Sequence, residues 1–243
     1  MTFVGVDGCK AGWFSVSLNE ASWSIAVYPT FRDLWSAFSG ARTIFVDIPI
    51  GLREGGTEER KCDKGGRRLL GAPRASSVFP APCRPALDAA NYEEASDLNK
   101  RWTGRGLSRQ SWSIVRKIRE VDDFLQTHTE ARGIVRECHP ELLFWSLNGG
   151  KAMKHHKKGQ EGYGECLVVL TGCCAQAPLI VEEALRRFWR KDVARDDVVD
   201  ALAAAVAAYV TQGSPLSIPE IQESDSHGLT MEMVYAPPMP GAR

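Results

Sequence analysis

Residues 1–50 constrain the fold more than any other stretch of the chain. "TFVGVDG" reads as a buried strand ending in an acid, and "GCKAG" as a tight turn. "WFSVSL" and "SWSIAVYP" continue as strands about a hairpin turn at Asn19-Glu20. In "TFRDLWSAF", Phe31, Leu34, Trp35 and Phe38 recur at helical spacing, with Thr30 placed as an N-cap and Gly40 as a stop. "RTIFVDIP" is again a strand, apolar enough to be buried on both faces, and it also ends in an acid, Asp47. The order β-β-β-α-β predicts an α/β domain with a mixed sheet. The strand after the helix should pair parallel to the first, through a right-handed connection. Asp7 and Asp47 would then stand side by side at adjacent strand ends.

The pattern changes from Leu52 to about Arg132. "REGGTEERKCDKGGRRLLGAPRASSVFPAPCRPAL" is rich in Gly, Pro and Arg, and two helices follow near 86–101 and 108–127. We read this stretch as an insertion carried on the strand that ends at Asp47. "GIVRECHPELL" is one more strand, closed by Pro140 at the first position of a helix. Further helices are expected near 160–171 and 179–189, and a last one near Asp196 in "RDDVVDALAAAV". The expected organisation is one domain over 1–210, with the insertion at about 52–132, and a weakly patterned tail over 211–243.

A chain of 243 residues, 44% of them hydrophobic, can bury the core of one large domain. The formal net charge of zero argues against a general positive field that coats nucleic acid, and leaves room for a local basic groove. Lys100 to Arg119 carries bases and no acid, while Lys151 to Lys158 reads as a mobile surface loop. The seven cysteines are an odd number with no CxxC pair. With a chain that opens directly into a strand, they predict reduced thiols, no signal peptide and a cytoplasmic protein. No membrane span is expected. The most apolar run, "VVDALAAAVAAYV", is short and begins with acids.

The opening of that last helix needs a chemical reason. Asp197 and Asp200 are three residues apart and share one helical face, while Asp196 is placed to cap the helix. Val198, Val199, Leu202 and Val206 can hold the helix on the sheet, and Ala201, Ala203, Ala204 and Ala205 let it lie close. Asp197 and Asp200 would then overhang Asp7 and Asp47. Carboxylates at adjacent strand ends repel, so without a cation one of them should hold its proton to unusually high pH. Hard oxygen ligands suit Mg²⁺ or Mn²⁺ rather than zinc. Four carboxylates from three segments make a ligand set for two ions about 3.5–4 Å apart. Asp7, Asp47, Asp197 and Asp200 are therefore the expected metal-binding and catalytic residues.

Other residues are weaker candidates. His139 is a possible phosphate contact or proton carrier, and Glu141 reads as an ordinary acid at a helix start. Glu137 and Cys138 lie on opposite faces of their strand, so "ECH" is not a Cys–His dyad. Within the insertion, Arg67, Arg68, Arg74 and Arg84, with Ser76 and Ser77, could grip substrate phosphates from a loop or be ordinary solvated surface.

"VGVDGCKAGW", "VDIPIGL", "LGAPRASSVFPAP", "GLSRQSWSIVRKIREVD", "ECHPELLFW" and "DDVVDALAAA" together resemble domain of unknown function 429, a family of predicted ribonuclease-H-like nucleases. The helix motif D-x-x-D-A-L-A is also similar to that of RuvC-type Holliday-junction resolvases. The resemblance implies a ribonuclease-H-like fold: a mixed five-stranded sheet flanked by helices, with a helical insertion after the fourth strand. It implies that Asp7 is the first-strand ligand, that Asp47 takes the fourth-strand position where the RuvC type carries Glu, and that Asp197 and Asp200 form the helix pair. Glu137, at the end of another strand, becomes a possible fifth member or substrate contact.

The function expected on these grounds is two-metal hydrolysis of a nucleic-acid backbone, with a nucleic acid as partner and, as in RuvC-type enzymes, a possible homodimer. Two alternatives stay open. One is a phosphotransferase of the actin-like ATPase superfamily, which needs two copies of the domain and a second Gly-rich loop. The other is a non-catalytic module whose acids bind a metal or a partner.

Overall fold

The computed structural model describes residues 1–238. In chain order the elements are β1 (Phe3–Cys9), β2 (Gly12–Leu18), β3 (Trp23–Tyr28), α1 (Phe31–Phe38) and β4 (Thr43–Val46). Next come α2 (Lys61–Leu70), α3 (Tyr92–Thr103), α4 (Arg109–Thr127), β5 (Val135–Glu137) and α5 (Pro140–Leu147). The chain continues with α6 (Gln160–Cys173), α7 (Ala177–Arg187), α8 (Arg195–Val210), β6 (Leu216–Ser224) and β7 (Thr230–Tyr235). Two compact units result. The first is Met1–Asp47, Gly133–Leu216 and the chain from Val234; the second is Ile48–Arg132 with Ser217–Met233.

The first unit is an α/β layer structure on a mixed five-stranded sheet of order β3-β2-β1-β4-β5. β1 pairs antiparallel with β2 and parallel with β4, as the β-β-β-α-β order predicts, and β4 pairs parallel with β5. This order and these directions are compatible with a ribonuclease-H-like fold. At the β1–β2 turn, Gly12 has φ 129°, and a Cβ there would sit 2.2 Å from the Tyr28 carbonyl oxygen. Thr30 caps α1 by accepting from the Asp33 N–H at 3.2 Å. Trp13 meets Phe31 edge to face at 5.2 Å, which seats α1 on one face of the sheet.

α8 covers the other face. A Cβ on Gly5 would lie 2.1 Å from both the Ala201 oxygen and the Ala205 nitrogen, so the strand and helix backbones touch there. The alanines supply one half of this close approach, and Gly5 supplies the other. Phe3 packs edge to face on Tyr209 at 5.6 Å. Phe3 thus lies by residue 209 and Gly5 by residues 201–205. α8 therefore runs against β1, and its acidic N-terminus arrives at the C-terminal end of that strand. Val198, Val199, Leu202 and Val206 are buried with these alanines in one core, together with Phe14, Phe45, Leu143 and Leu170. This burial is the main drive that seats α8.

The second unit differs from the sequence pattern in three places. α2 was hidden by Gly65 and Gly66, which read as a breaker. Packing explains them: a Cβ on Gly65 would meet the Ile218 side chain at 2.2 Å, and one on Gly66 the Met233 sulfur at 3.3 Å. The expected tail contains the paired strands β6 and β7. Ile218, Leu229, Met231 and Met233 are buried, an alternation obscured by Pro219 and by the buried Glu232. The helix expected near 86–101 is a 3₁₀ turn at Arg84–Asp88 followed by α3, which Asn91 caps by accepting from the Glu94 N–H at 2.9 Å. All seven cysteines are free thiols. Among the described residues, no helix is long and apolar enough to cross a membrane.

Candidate metal centre

Strand parity builds the site. Val6 of β1 pairs with Val46 of β4, which pairs with Glu137 of β5. The next residue on each strand is Asp7, Asp47 and Cys138, and these turn to the opposite face from Val6, Val46 and Glu137. That face is the one Gly5 and Phe45 share with α8. The sheet ladder runs on to this level: the Asp47 N–H donates to the Val6 oxygen at 3.0 Å, and the Cys138 N–H to the Val46 oxygen at 2.9 Å.

α8 adds Asp200. One carboxylate oxygen each from Asp7, Asp47 and Asp200 lie within 4.8 Å of one another. Asp200 is 5% exposed, whereas Asp7 and Asp47 keep some access to solvent. Three acids so close cannot all ionise cheaply. Burial, and then Asp47, Asp200 and Asp197, push the Asp7 carboxyl well above the usual range. Burial and then Asp200 do the same to Asp47. Burial raises Asp200 to about 7, against the opposing pull of the Lys157 ammonium. Asp200 Oδ1 is buried with no hydrogen-bond partner. An all-oxygen donor set, an unpartnered buried carboxylate oxygen and mutual repulsion together fit a hard divalent cation.

Lys157 was not foreseen. Its ammonium donates to Asp200 Oδ2 at 2.5 Å and lies 3.6 Å from Glu141 Oε1. The carboxylates hold it protonated well above the usual lysine range, against the penalty of burial. The segment 151–158, expected as a mobile surface loop, therefore sends one of its lysines into the acid cluster. Contacts with α6 and α8 pin it. Glu165 accepts from the N–H groups of Lys154 and His155 at 2.8 and 2.9 Å. A Cβ on Gly162 would meet the His156 oxygen at 2.2 Å, so only glycine lets the loop lie this close. Arg195 donates to the Lys158 oxygen at 3.1 Å and stacks over the Tyr163 ring at 4.2 Å.

The other predicted residues take varied places. The N-cap of α8 is Ala194, so Asp196 is not the cap. Asp197 serves the helix start instead: its Oδ2 accepts from the Ala194 N–H at 2.8 Å. Asp197 is near enough to raise Asp7 but lies outside the close set of three. Asp196 is partly exposed, 3.9 Å from the Lys158 ammonium. Glu137 is buried on the face of β5 away from Asp7 and Asp47. His139 precedes α5, with Nδ1 3.6 Å from Glu141 Oε2. Glu141, read as an ordinary helix-start acid, belongs to the electrostatics of the site, because it raises both Asp47 and Asp200. Burial and the neighbouring acids hold the Cys138 thiol well above its usual range, so it stays neutral and is no nucleophile.

The insertion residues lie in the second unit, in local roles. Arg67 pairs with Glu59 and donates to the Val78 oxygen at 3.0 Å. Ser76 and Ser77 donate to the Pro73 and Arg74 oxygens at 3.2 and 2.7 Å, and Arg74 starts that 3₁₀ turn. Arg84 is gripped by Glu54, Asp122 and Asp225. The basic run is partly neutralised: Arg105 pairs with Glu59, Arg119 with Asp88, and Arg109 lies over the Tyr92 ring at 3.7 Å.

Fold and site together define an α/β protein whose strand-end carboxylates could hold a metal ion. The chain belongs to the family described as "Protein of unknown function (DUF429)", which matches residues 5–224. Neither the curated proteins nor the solved structures contain a significant match to it.

Proposed function

We propose that this protein is a divalent-cation-dependent phosphodiesterase acting on a nucleic-acid backbone. The observation that carries the reading is the meeting of Asp7, Asp47 and Asp200 at one end of the sheet, with oxygens within 4.8 Å and one Asp200 oxygen unpartnered. Asp7, Asp47 and Asp200 would hold Mg²⁺ or Mn²⁺. When bound, such an ion supplies Lewis-acid chemistry, neutralising phosphate charge and acidifying water. The chain's own groups do the rest. Asp7 and Asp47, which keep some access to solvent, would face an incoming phosphate. Lys157 offers an ammonium beside Asp200 for charge that develops on phosphate oxygens. His139 is joined to this set through Glu141, which places an imidazole beside it. Cys138 stays a neutral core thiol.

The actin-like ATPase alternative finds less support. The described residues contain one five-stranded sheet and one two-stranded sheet, rather than two copies of the core. The test is a cleavage screen on single-stranded, duplex, hybrid and branched nucleic acids with Mn²⁺ or Mg²⁺. Cleavage by the native chain and its loss in Asp7→Asn, with an unchanged circular dichroism spectrum, is the expected result. ATP hydrolysis without cleavage, or cleavage that survives Asp7→Asn, overturns it.

A further inference from the structure

We infer that Lys157 is the built-in second cation of this site, so that the chain binds one divalent ion and not two. The inference rests on the metal-centre reading above and changes what that centre holds. Asp200 has two oxygens with different fates. Oδ2 receives the Lys157 ammonium at 2.5 Å, while Oδ1 is buried with no partner. One Asp200 oxygen makes a three-carboxylate seat with Asp7 and Asp47, and Oδ1 is the oxygen that Lys157 leaves available for it. A second ion bridging on Asp200 would need Oδ2 and a further acid such as Glu141, which acts on Asp200 electrostatically. The ammonium already sits between those two groups, 3.6 Å from Glu141 Oε1. A divalent ion placed there would meet the ammonium in the same space and be repelled by its charge. The other acid expected to complete a two-ion set, Asp197, has Oδ2 committed to the Ala194 N–H.

Lys157 is placed there by construction. Its loop is held by Glu165 through two backbone N–H groups, by the glycine contact at Gly162, and by Arg195 through the Lys158 carbonyl. Arg195 is also the first residue of α8, the helix that carries Asp200. The lysine and the carboxylate it neutralises are therefore positioned by one shared set of contacts.

The experiment is Mn²⁺ titration of the full chain by calorimetry, with electron paramagnetic resonance of the loaded protein. The native chain should bind one Mn²⁺ and give the spectrum of isolated ions. Lys157→Met, which keeps the apolar stem and removes the charge, should bind the first ion at least about tenfold tighter, as loss of a neighbouring positive charge demands. It should also accept a second Mn²⁺ with a spin-coupled spectrum. Lys157→Arg, which keeps the charge and tests for damage to the loop, should stay at one ion. Two ions in the native chain overturn the inference and leave the proposed function standing. Unchanged stoichiometry and affinity in Lys157→Met also overturn it. No Mn²⁺ binding by the native chain overturns both the inference and the metal-centre reading.

Discussion

Without a divalent cation, the protein should lose stability as the pH rises from mildly acidic to mildly alkaline, and Mn²⁺ should reverse the loss. Asp200 titrates at about 7 in the folded chain against 3.8 when unperturbed. Between these values the folded state holds a proton that the unfolded state has released, so folding is favoured at the acidic end and loses ground as pH rises. The loss is complete above the folded value. At 1.36 kcal/mol per unit, Asp200 alone removes about 2 kcal/mol between about pH 5.5 and pH 8. Asp7 and Asp47 are raised as well and act with the same sign. Glu58 and Glu59 are lowered, so their contribution is already complete at the start of this window. Lys157 is raised and stays charged throughout it. For a chain of this size each kcal/mol moves the Tm by about 2–4 °C, so a fall of about 4–8 °C is expected from Asp200 alone. Melting curves in chelator across this range measure it, with Asp200→Asn as the comparison. The variant should show a flatter pH profile and gain little from Mn²⁺, while the native chain should gain most at the alkaline end. A native Tm that is level or rises with pH in chelator refutes the argument.

Two further substitutions separate architecture from chemistry. Gly5→Ala places a methyl group 2.1 Å from α8 backbone atoms that cannot rotate away; it should cost about 1–3 kcal/mol or more in urea unfolding and weaken Mn²⁺ binding as Asp200 is displaced. Native-like stability there would mean that α8 does not rest on Gly5. Asp197→Ala should cost about 1 kcal/mol, because the Ala194 N–H loses its acceptor, yet still bind Mn²⁺. Abolished binding in that variant would make Asp197 a ligand rather than a helix-start residue.

The parts of the site that were legible in the sequence are those governed by short periods. The β-β-β-α-β order placed β1 beside β4, and the alternation along each strand then put Asp7 and Asp47 on one face. Helical spacing singled out the pair Asp197 and Asp200, of which Asp200 joins the close set. Errors arose where one residue of phase mattered. With Ala194 at the N-cap, the helix-start role moves from Asp196 to Asp197. Glu137 ends β5 one residue short of the level of Asp7 and Asp47, and parity turns it to the other face, although its charge still raises Asp47. Lys157 was invisible for a different reason. It meets Asp200 across 43 residues of sequence, and its approach is fixed by a glycine, a glutamate and an arginine on two helices. No local pattern in "KAMKHHKKGQ" carries that information.

That difference bears on what the centre is for. A stable core has no need of three adjacent carboxylates that resist ionising, and such groups gather where chemistry requires them. Here two arrangements hold them together. The seam of Gly5 against Ala201, Ala204 and Ala205 brings Asp200 within reach of the strand ends. The loop of Lys157 then places its ammonium at one edge of the cluster, on Asp200 Oδ2 and near Glu141; its charge also eases Asp7 and Asp47, yet both stay raised and Oδ1 stays unpartnered. Had the lysine served stability alone, a position central to all three acids would lower their mutual repulsion further. Its place at one edge is what the proposed single-ion seat requires, because the unpartnered Oδ1 stays available beside Asp7 and Asp47.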